Sequence, residues 1–360
     1  MSTDDMSQNG KLAPIDKGEL TKAELTDILG GCEIAALDEV NLSDERKYTR
    51  LELTEGQRMQ MQGLMSQLPA LLNTASLSQT VRLTFPKGVQ GSLLALKNGG
   101  YSTTLVDQAG KFVGTASISF PTFQTAALGA FTAMSIVSGQ YFLAQINNKL
   151  GQISSKLDAI LKFLYGDKRA ELLSEVNFIH FAHENYKSVM EHSEQRIATL
   201  VNLQSAKKVA MKDIEFYLSD LHSVIDAKKK GTGIADKMIH TQECLELSLQ
   251  LYAMSNLLEV YYSGNFDPNY IGFVNKEAST YIGTCISRSH DYFITLRNSL
   301  SGAKNPKQLE QVNTIVEGLA NKITFSDPLQ TELASTLDEA GKEKQYYLTQ
   351  DGDVYLLKVS

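Results

Sequence analysis

The chain has 360 residues, enough for a sizeable core and for two or three domains, and its 42% apolar and 21% charged composition is that of an ordinary globular protein. A net charge of −7 argues against a protein built mainly to bind nucleic acid, which needs a clustered excess of Lys and Arg. The three cysteines, Cys32, Cys244 and Cys285, form no CxxC, zinc or disulfide pattern, so a reducing, cytoplasmic setting is the expectation.

Residues 1–16 are polar and read as a flexible tail, with no basic segment leading into an apolar one as in a secretion signal. Residues 17–79 are expected to be a helical segment. Thr21 and Glu24 have capping-box spacing ahead of Leu25, Ile28 and Leu29, with Gly30-Gly31 as the stop. Thr54 and Gln57 repeat the box and open a second helix, with Met61, Leu64, Met65 and Leu68 inward and an end near Pro69. The stretch 32–53 carries no clear period.

Residues 80–119 change character. Val81, Leu83 and Phe85 alternate with Arg82 and Thr84, and turn signals at Pro86-Lys87-Gly88, Asn98-Gly99-Gly100 and Gln108-Ala109-Gly110 separate further strands at 101–106 and 112–118. This predicts a small antiparallel β module of three or four strands. A helical bundle is expected over 120–330, with helices at about 122–165, 168–203, 207–229, 233–263, 268–301 and 307–323. In the C-terminal segment 331–360, Gln350-Asp351-Gly352-Asp353 between two apolar runs predicts a β-hairpin that pairs with the 80–119 sheet. The fold class expected is mainly α: a multi-helix bundle with one long central helix and a small antiparallel β module.

The most unusual segment runs from Phe112 to Asn148, 37 residues without Asp, Glu, Lys or Arg. Its helical part holds the small-residue pairs Gly129/Ala133 and Ser135/Gly139, which permit close helix approach. It leads into Leu143, Leu150, Leu157 and Leu164, seven apart, with Ile146, Ile153 and Ile160 three residues after a Leu. Leu at a and Ile at d disfavours a two-stranded parallel coiled coil and suits a trimer or tetramer, if the seam joins chains. Packing of the same stripe against the chain's own later helices satisfies it equally well. Residues 126–146 are long enough to cross a bilayer, yet seven of these 21 are Gly, Ser, Thr or Gln, which makes a poor permanent anchor. A buried central helix or conditional membrane contact fits better.

Chemistry-bearing motifs are weak. His180, His183 and Glu184, with Glu191 and His192 two turns on, are candidate metal ligands by residue type, but the spacing is neither HExxH nor that of a di-iron bundle. No GxSxG, P-loop or dinucleotide fingerprint is present, and no cofactor is implied. Lys228-Lys229-Lys230 reads as a helix C-terminus, and the tyrosines of the helical region read as packing. In architecture alone, over roughly residues 112–230, the layout resembles the α-helical pore-forming toxins, in which a bundle sequesters an apolar segment. The departure is a sheet, not a long helix, ahead of that segment. The sequence therefore predicts a non-enzymatic helical protein that self-assembles through 122–165 and acts by binding a membrane or a partner protein. A helical scaffold or adaptor without a membrane role is the alternative.

Overall fold

A computed structural model describes residues 19–25, 32–37, 40–71, 80–85, 102–106, 112–117, 121–145, 157, 160–162, 164, 166–226, 233–300, 310 and 326–358. The chain is mainly helical, with one antiparallel sheet, and divides into two compact units. Unit 1 comprises 1–86, 96–133 and 344–360; unit 2 comprises 87–95 and 134–343.

Unit 1 is built on eight strands: β1 (Glu19–Leu25), β2 (Cys32–Leu37), β3 (Tyr48–Arg50), β4 (Thr80–Phe85), β5 (Ser102–Val106), β6 (Phe112–Ser117), β7 (Lys344–Thr349) and β8 (Val354–Leu357). Their order is β3-β8-β7-β4-β2-β1-β5-β6, every neighbouring pair antiparallel. The register sets Ile34 opposite Leu83 and Leu83 opposite Tyr346, so the alternation puts Ile34, Val81, Leu83, Phe85, Tyr346 and Leu348 on one face. All six are at most 1% exposed. On the other face Ala35, Leu37, Tyr48 and Tyr347 form a smaller core, with Tyr48 edge-on to Tyr347 at 5.0 Å.

The C-terminal hairpin pairs with the 80–119 strands as expected, β7 lying beside β4 from Lys344/Phe85 to Thr349/Thr80. The sheet is nevertheless larger than the sequence suggested. Residues 19–25, expected as a capped helix, are β1, hydrogen-bonded on both sides by β2 and β5. An isolated helix of two turns is marginal in water, so two flanking strands that satisfy every backbone group outweigh a local capping signal. The stretch without a clear period supplies β2 and β3.

Helix α1 (Glu55–Leu71) opens with the predicted capping box: the Thr54 amide donates to Oε1 of Gln57 at 3.0 Å, and the Gln57 amide to Oγ1 of Thr54 at 3.3 Å. Met61, Leu64, Met65 and Leu68 are buried, as their spacing requires, while Pro69 falls inside the last turn instead of ending the helix. In the β7–β8 turn Asp353 accepts from Arg50 at 2.8 Å and Arg58 at 3.1 Å. Gly352 adopts φ +78°, and a Cβ there would stand 2.6 Å from the carbonyl oxygen of Arg58.

Helix α2 (Pro121–Gln145) starts in unit 1 and belongs to unit 2 from Met134 onward. Unit 2 continues with α3 (Gly166–Glu184), α4 (Tyr186–Met190), α5 (Ser193–Asp226), α6 (Gly233–Ser263), α7 (Pro268–Leu300) and α8 (Ser326–Gly341). The predicted bounds of α6 and α7 hold within a residue. Two predicted helices at 168–203 and 207–229 are divided differently: the break falls at Asn185 and at 191–192, and α5 runs unbroken through 204–206. At the break Asn185 leaves helical geometry, with φ −98° and ψ 11°, and its side-chain amide donates to the Phe181 carbonyl at 3.0 Å alongside the last helical backbone bond. The helix expected at 307–323 lies outside the described residues except for Glu310, as do the Lys228–Lys230 triplet and the N-terminal tail. Asp267 caps α7, its Oδ1 accepting from the amides of Asn269 and Tyr270 at 2.9 and 3.0 Å.

Helices α5 and α6 pack antiparallel. Asp220 accepts from Lys237 at 2.8 Å and from Thr241 at 3.1 Å near one end, and Glu259 accepts from Gln204 at 3.0 Å and from Lys207 near the other. Ile214, Leu218 and Leu221 are fully buried, and Met211 packs beside them. α7 joins through Arg288, whose Nη1 donates to both oxygens of Glu215.

Two glycine substitutions have opposite expected signs. Gly63→Ala, in the middle of α1 with nothing within 4 Å, is expected to stabilise by about 0.5–1 kcal/mol. Gly352→Ala is expected to destabilise by more than about 1 kcal/mol, because it combines positive φ with a backbone clash. Urea midpoints of the two variants measure both.

Candidate functional site: the enclosed helix α2

Helix α2 has 25 residues and no charged side chain. Such a helix has nothing to present to water, so the fold must cover it on every side. The covering is complete over seven consecutive residues, Ala133 to Gly139, all buried, with Met134 1% and Ser138 1% exposed. Seven residues make nearly two turns, so no face of this stretch meets solvent.

The earlier part of the helix lies on the sheet of unit 1. Phe131 meets Phe85 edge-to-face at 5.6 Å, and Phe85 meets Tyr346 in the same manner at 5.6 Å. Gly129 faces the side chain of Gln60, and a Cβ there would sit at an ordinary 3.7 Å. Gly129 is therefore not sterically required.

Gly139 is required. A Cβ on it would approach the Tyr186 hydroxyl and stand 2.9 Å from ring carbons Cε1 and Cζ, closer than real contacts allow. Tyr186 cannot yield easily. It is 1% exposed, edge-on to Tyr262 at 5.2 Å and to Tyr261 at 6.3 Å, and its hydroxyl donates to the Tyr261 carbonyl at 3.4 Å. Tyr262 in turn donates to the Ala182 carbonyl at 2.7 Å. Burial pushes the Tyr186 and Tyr262 phenols far above their ordinary range, so both remain neutral donors. The small residue at 139 serves close approach, as its motif suggested, but the ring it admits comes from α4 of the same chain.

The last turn of α2 is held by a histidine. Leu143 carries one of the terminal carbonyls of the helix, and Nε2 of His183 lies 3.0 Å from that oxygen. A carbonyl only accepts, so Nε2 carries the hydrogen. His183 is thus an anchor for α2, a role that its proximity in sequence to His180 and Glu184 did not suggest. His180 Nδ1 stands 4.0 Å from Glu184 on the outside of α3. Among the described residues no group of three or more His, Cys, Asp or Glu converges as a metal-ligand set.

The heptad residues divide as follows. Leu143, Leu157 and Ile160 are buried in the large core of unit 2, together with Leu172, Val176 and Ile179 of α3 and Tyr261 and Tyr262 of α6, and Leu164 packs against that core. Ile146, Leu150 and Ile153 lie outside the described residues. Ser135 is 5% exposed and Ala133 4%. The described part of the Leu/Ile stripe is consequently occupied by the chain's own helices.

Among the described residues no helix is long and apolar enough to cross a membrane. The polar residues of α2 are the reason, and two of them, Ser135 and Ser138, are buried inside the protein. The thiols are also enclosed, and burial raises Cys244 to about 12 and Cys285 to about 11, which makes them poor nucleophiles. No protein family, curated protein or solved structure matches this chain.

Sequence reasoning singled out Gly139 and Leu143 but missed their partners Tyr186, Tyr262 and His183. Tyrosines at 261–262 and 186 are far apart in sequence, and only the packing of α4 on α6 brings their rings together. Gly139→Ala is expected to cost about 1–3 kcal/mol by overpacking. Tyr186→Leu should also destabilise, but the two losses should not add, because the smaller side chain leaves room for the new methyl. A double-mutant cycle by urea unfolding checks this, and strict additivity would mean that the two residues do not meet.

Proposed function

We propose that this chain is a non-enzymatic helical binding protein, with α2 as the binding element that it keeps enclosed and exposes to a membrane or a partner protein. The observation that carries the reading is the enclosure, on every side from Ala133 to Gly139, of a stretch of an uncharged 25-residue helix. Three further points support it. The closest approach, Gly139 to Tyr186, has no slack, so small perturbations of α4 act directly on α2. In the last turn of α2 the Leu143 carbonyl accepts a hydrogen bond from Nε2 of His183. Small residues along α2 would let a second helix approach as closely as Tyr186 does now. Self-assembly into a trimer or tetramer through 122–165 belongs to the released form in this reading, since Leu143, Leu157 and Ile160 are engaged internally at rest.

That engagement also favours a second reading, in which α2 stays in place and the chain is a helical scaffold or adaptor. The exposed apolar side chains Ile197, Val201 and Phe273, 57%, 58% and 63% accessible, would then be among its contact points.

Vesicle flotation combined with light scattering separates the two. The release reading predicts that the protein is monomeric alone and that a fraction floats with phospholipid vesicles at higher oligomeric mass. Gly139→Ala, which loosens α2, should raise that fraction severalfold, and Ala133→Glu should abolish it while reducing stability. A wild type and a Gly139→Ala variant that both remain monomeric and unbound would remove the membrane branch and leave the scaffold.

A further inference from the structure

Outside the α2 site, one cluster of charged residues lies between α3 and α5 in unit 2. Lys168 donates to Glu171 at 2.8 Å and to Oδ1 of Asp213, and Lys212 donates to Glu171 at 3.3 Å. Glu175 stands one turn beyond Glu171 on the same helix. Its side chain is 8% exposed, and both of its carboxyl oxygens are buried with no hydrogen-bond partner. Asp213 is fully buried, and its second oxygen, Oδ2, is likewise unpartnered, while the Tyr217 hydroxyl on the next turn of α5 meets the Cys244 thiol. The groups that act on Glu175 are Asp213 and Lys212 from α5 and Glu171 and Lys168 from its own helix, while Cys244 of α6 and Tyr217 act on one another and feel Asp213.

The arithmetic of charge is the point. The cluster has three carboxyls and two ammonium groups. Glu171 takes both lysines and Asp213 shares one of them, so neither lysine pairs directly with Glu175. A buried carboxylate with neither cation nor hydrogen-bond donor is among the costliest arrangements a fold can contain, whereas a neutral carboxylic acid at the same place needs only an acceptor for its O–H. One open acceptor in the cluster is Oδ2 of Asp213.

We propose that Glu175 is a proton-binding site of the folded protein, protonated and neutral at neutral pH, and that its ionisation in mildly alkaline solution opens the α3–α5 contact to water. Desolvation first, and repulsion by Asp213 and Glu171 second, hold its titration up near 8, where an exposed glutamate would be ionised above 4.5. The sign follows from linkage. Between these two values the folded chain holds a proton that the unfolded chain has released. Stability from this site is therefore complete below about 4.5, falls as pH rises through the interval, and is gone above about 8. The inference is independent of the role of α2.

Infrared spectroscopy and urea unfolding of the full chain test it. At neutral pH the wild type should show the C=O stretch of a protonated carboxylic acid, lost in one step near pH 8 and missing from Glu175→Gln. The folding constant of the wild type should fall by up to about tenfold per pH unit between about pH 5 and 8, relative to Glu175→Gln, which should be the more stable above pH 8. A band that persists in Glu175→Gln, or identical pH dependence in the two proteins, overturns the proposal. Should Glu175→Gln not fold, the wild-type band decides alone: present at neutral pH and lost near pH 8 supports it, and absent at neutral pH overturns it.

Discussion

An uncharged helix of 25 residues imposes one condition on this protein: every face of it must be covered. Unit 2 meets that condition from Met134 to Gly139, and the sheet of unit 1 lies against the helix at Phe131. Hydrophobic burial alone is not selective enough for the task, because Ser135, Ser138 and Gly139 offer little apolar area. Shape supplies what area does not. Gly139 lets the Tyr186 ring lie directly on the helix backbone, and that ring is fixed in turn by two neighbouring tyrosines and by hydrogen bonds to backbone carbonyls. Packing of aromatic rings thus does for α2 what charged i,i+4 pairs do for an exposed helix.

The polar groups of unit 2 are distributed by the same logic. At the ends of the α5–α6 pair, ion pairs such as Lys237–Asp220 and Lys207–Glu259 remain partly exposed, where their energetic weight is small and their value lies in register. Deeper in, three polar side chains illustrate different solutions. His183 gives its hydrogen to a helix-terminal carbonyl, Ser289 donates to Gln242 at 2.8 Å, and Glu175 escapes the cost of charge by holding a proton in the reading argued above.

Much of the architecture could be read from the letters. The Thr54/Gln57 capping box, the Val81-Leu83-Phe85 alternation, the Asp351-Gly352 hairpin and the bounds of α6 and α7 all rest on local chemistry and all hold. The failures share a cause. Thr21 and Glu24 form a good capping box on a segment that pairs instead with strands near residues 35 and 105, a non-local choice that no local signal records. Asn185 leaves helical geometry between α3 and α4, a break that the local pattern does not mark. For the candidate site, Gly139 and the Leu/Ile spacing were visible because they are periodic. Tyr186, Tyr262 and His183 were not, because their importance lies in meeting α2 across the fold, and periodicity within one helix says nothing of which ring will face a glycine on another.

The central claim is that α2 is part of the resting core. Amide hydrogen exchange on the isolated protein reads this directly. The account predicts that amides from Ala133 to Leu143 exchange as slowly as those in the middle of α5 and α6. Exchange of that stretch at the rate of surface loops, with α5 and α6 still protected, would contradict it.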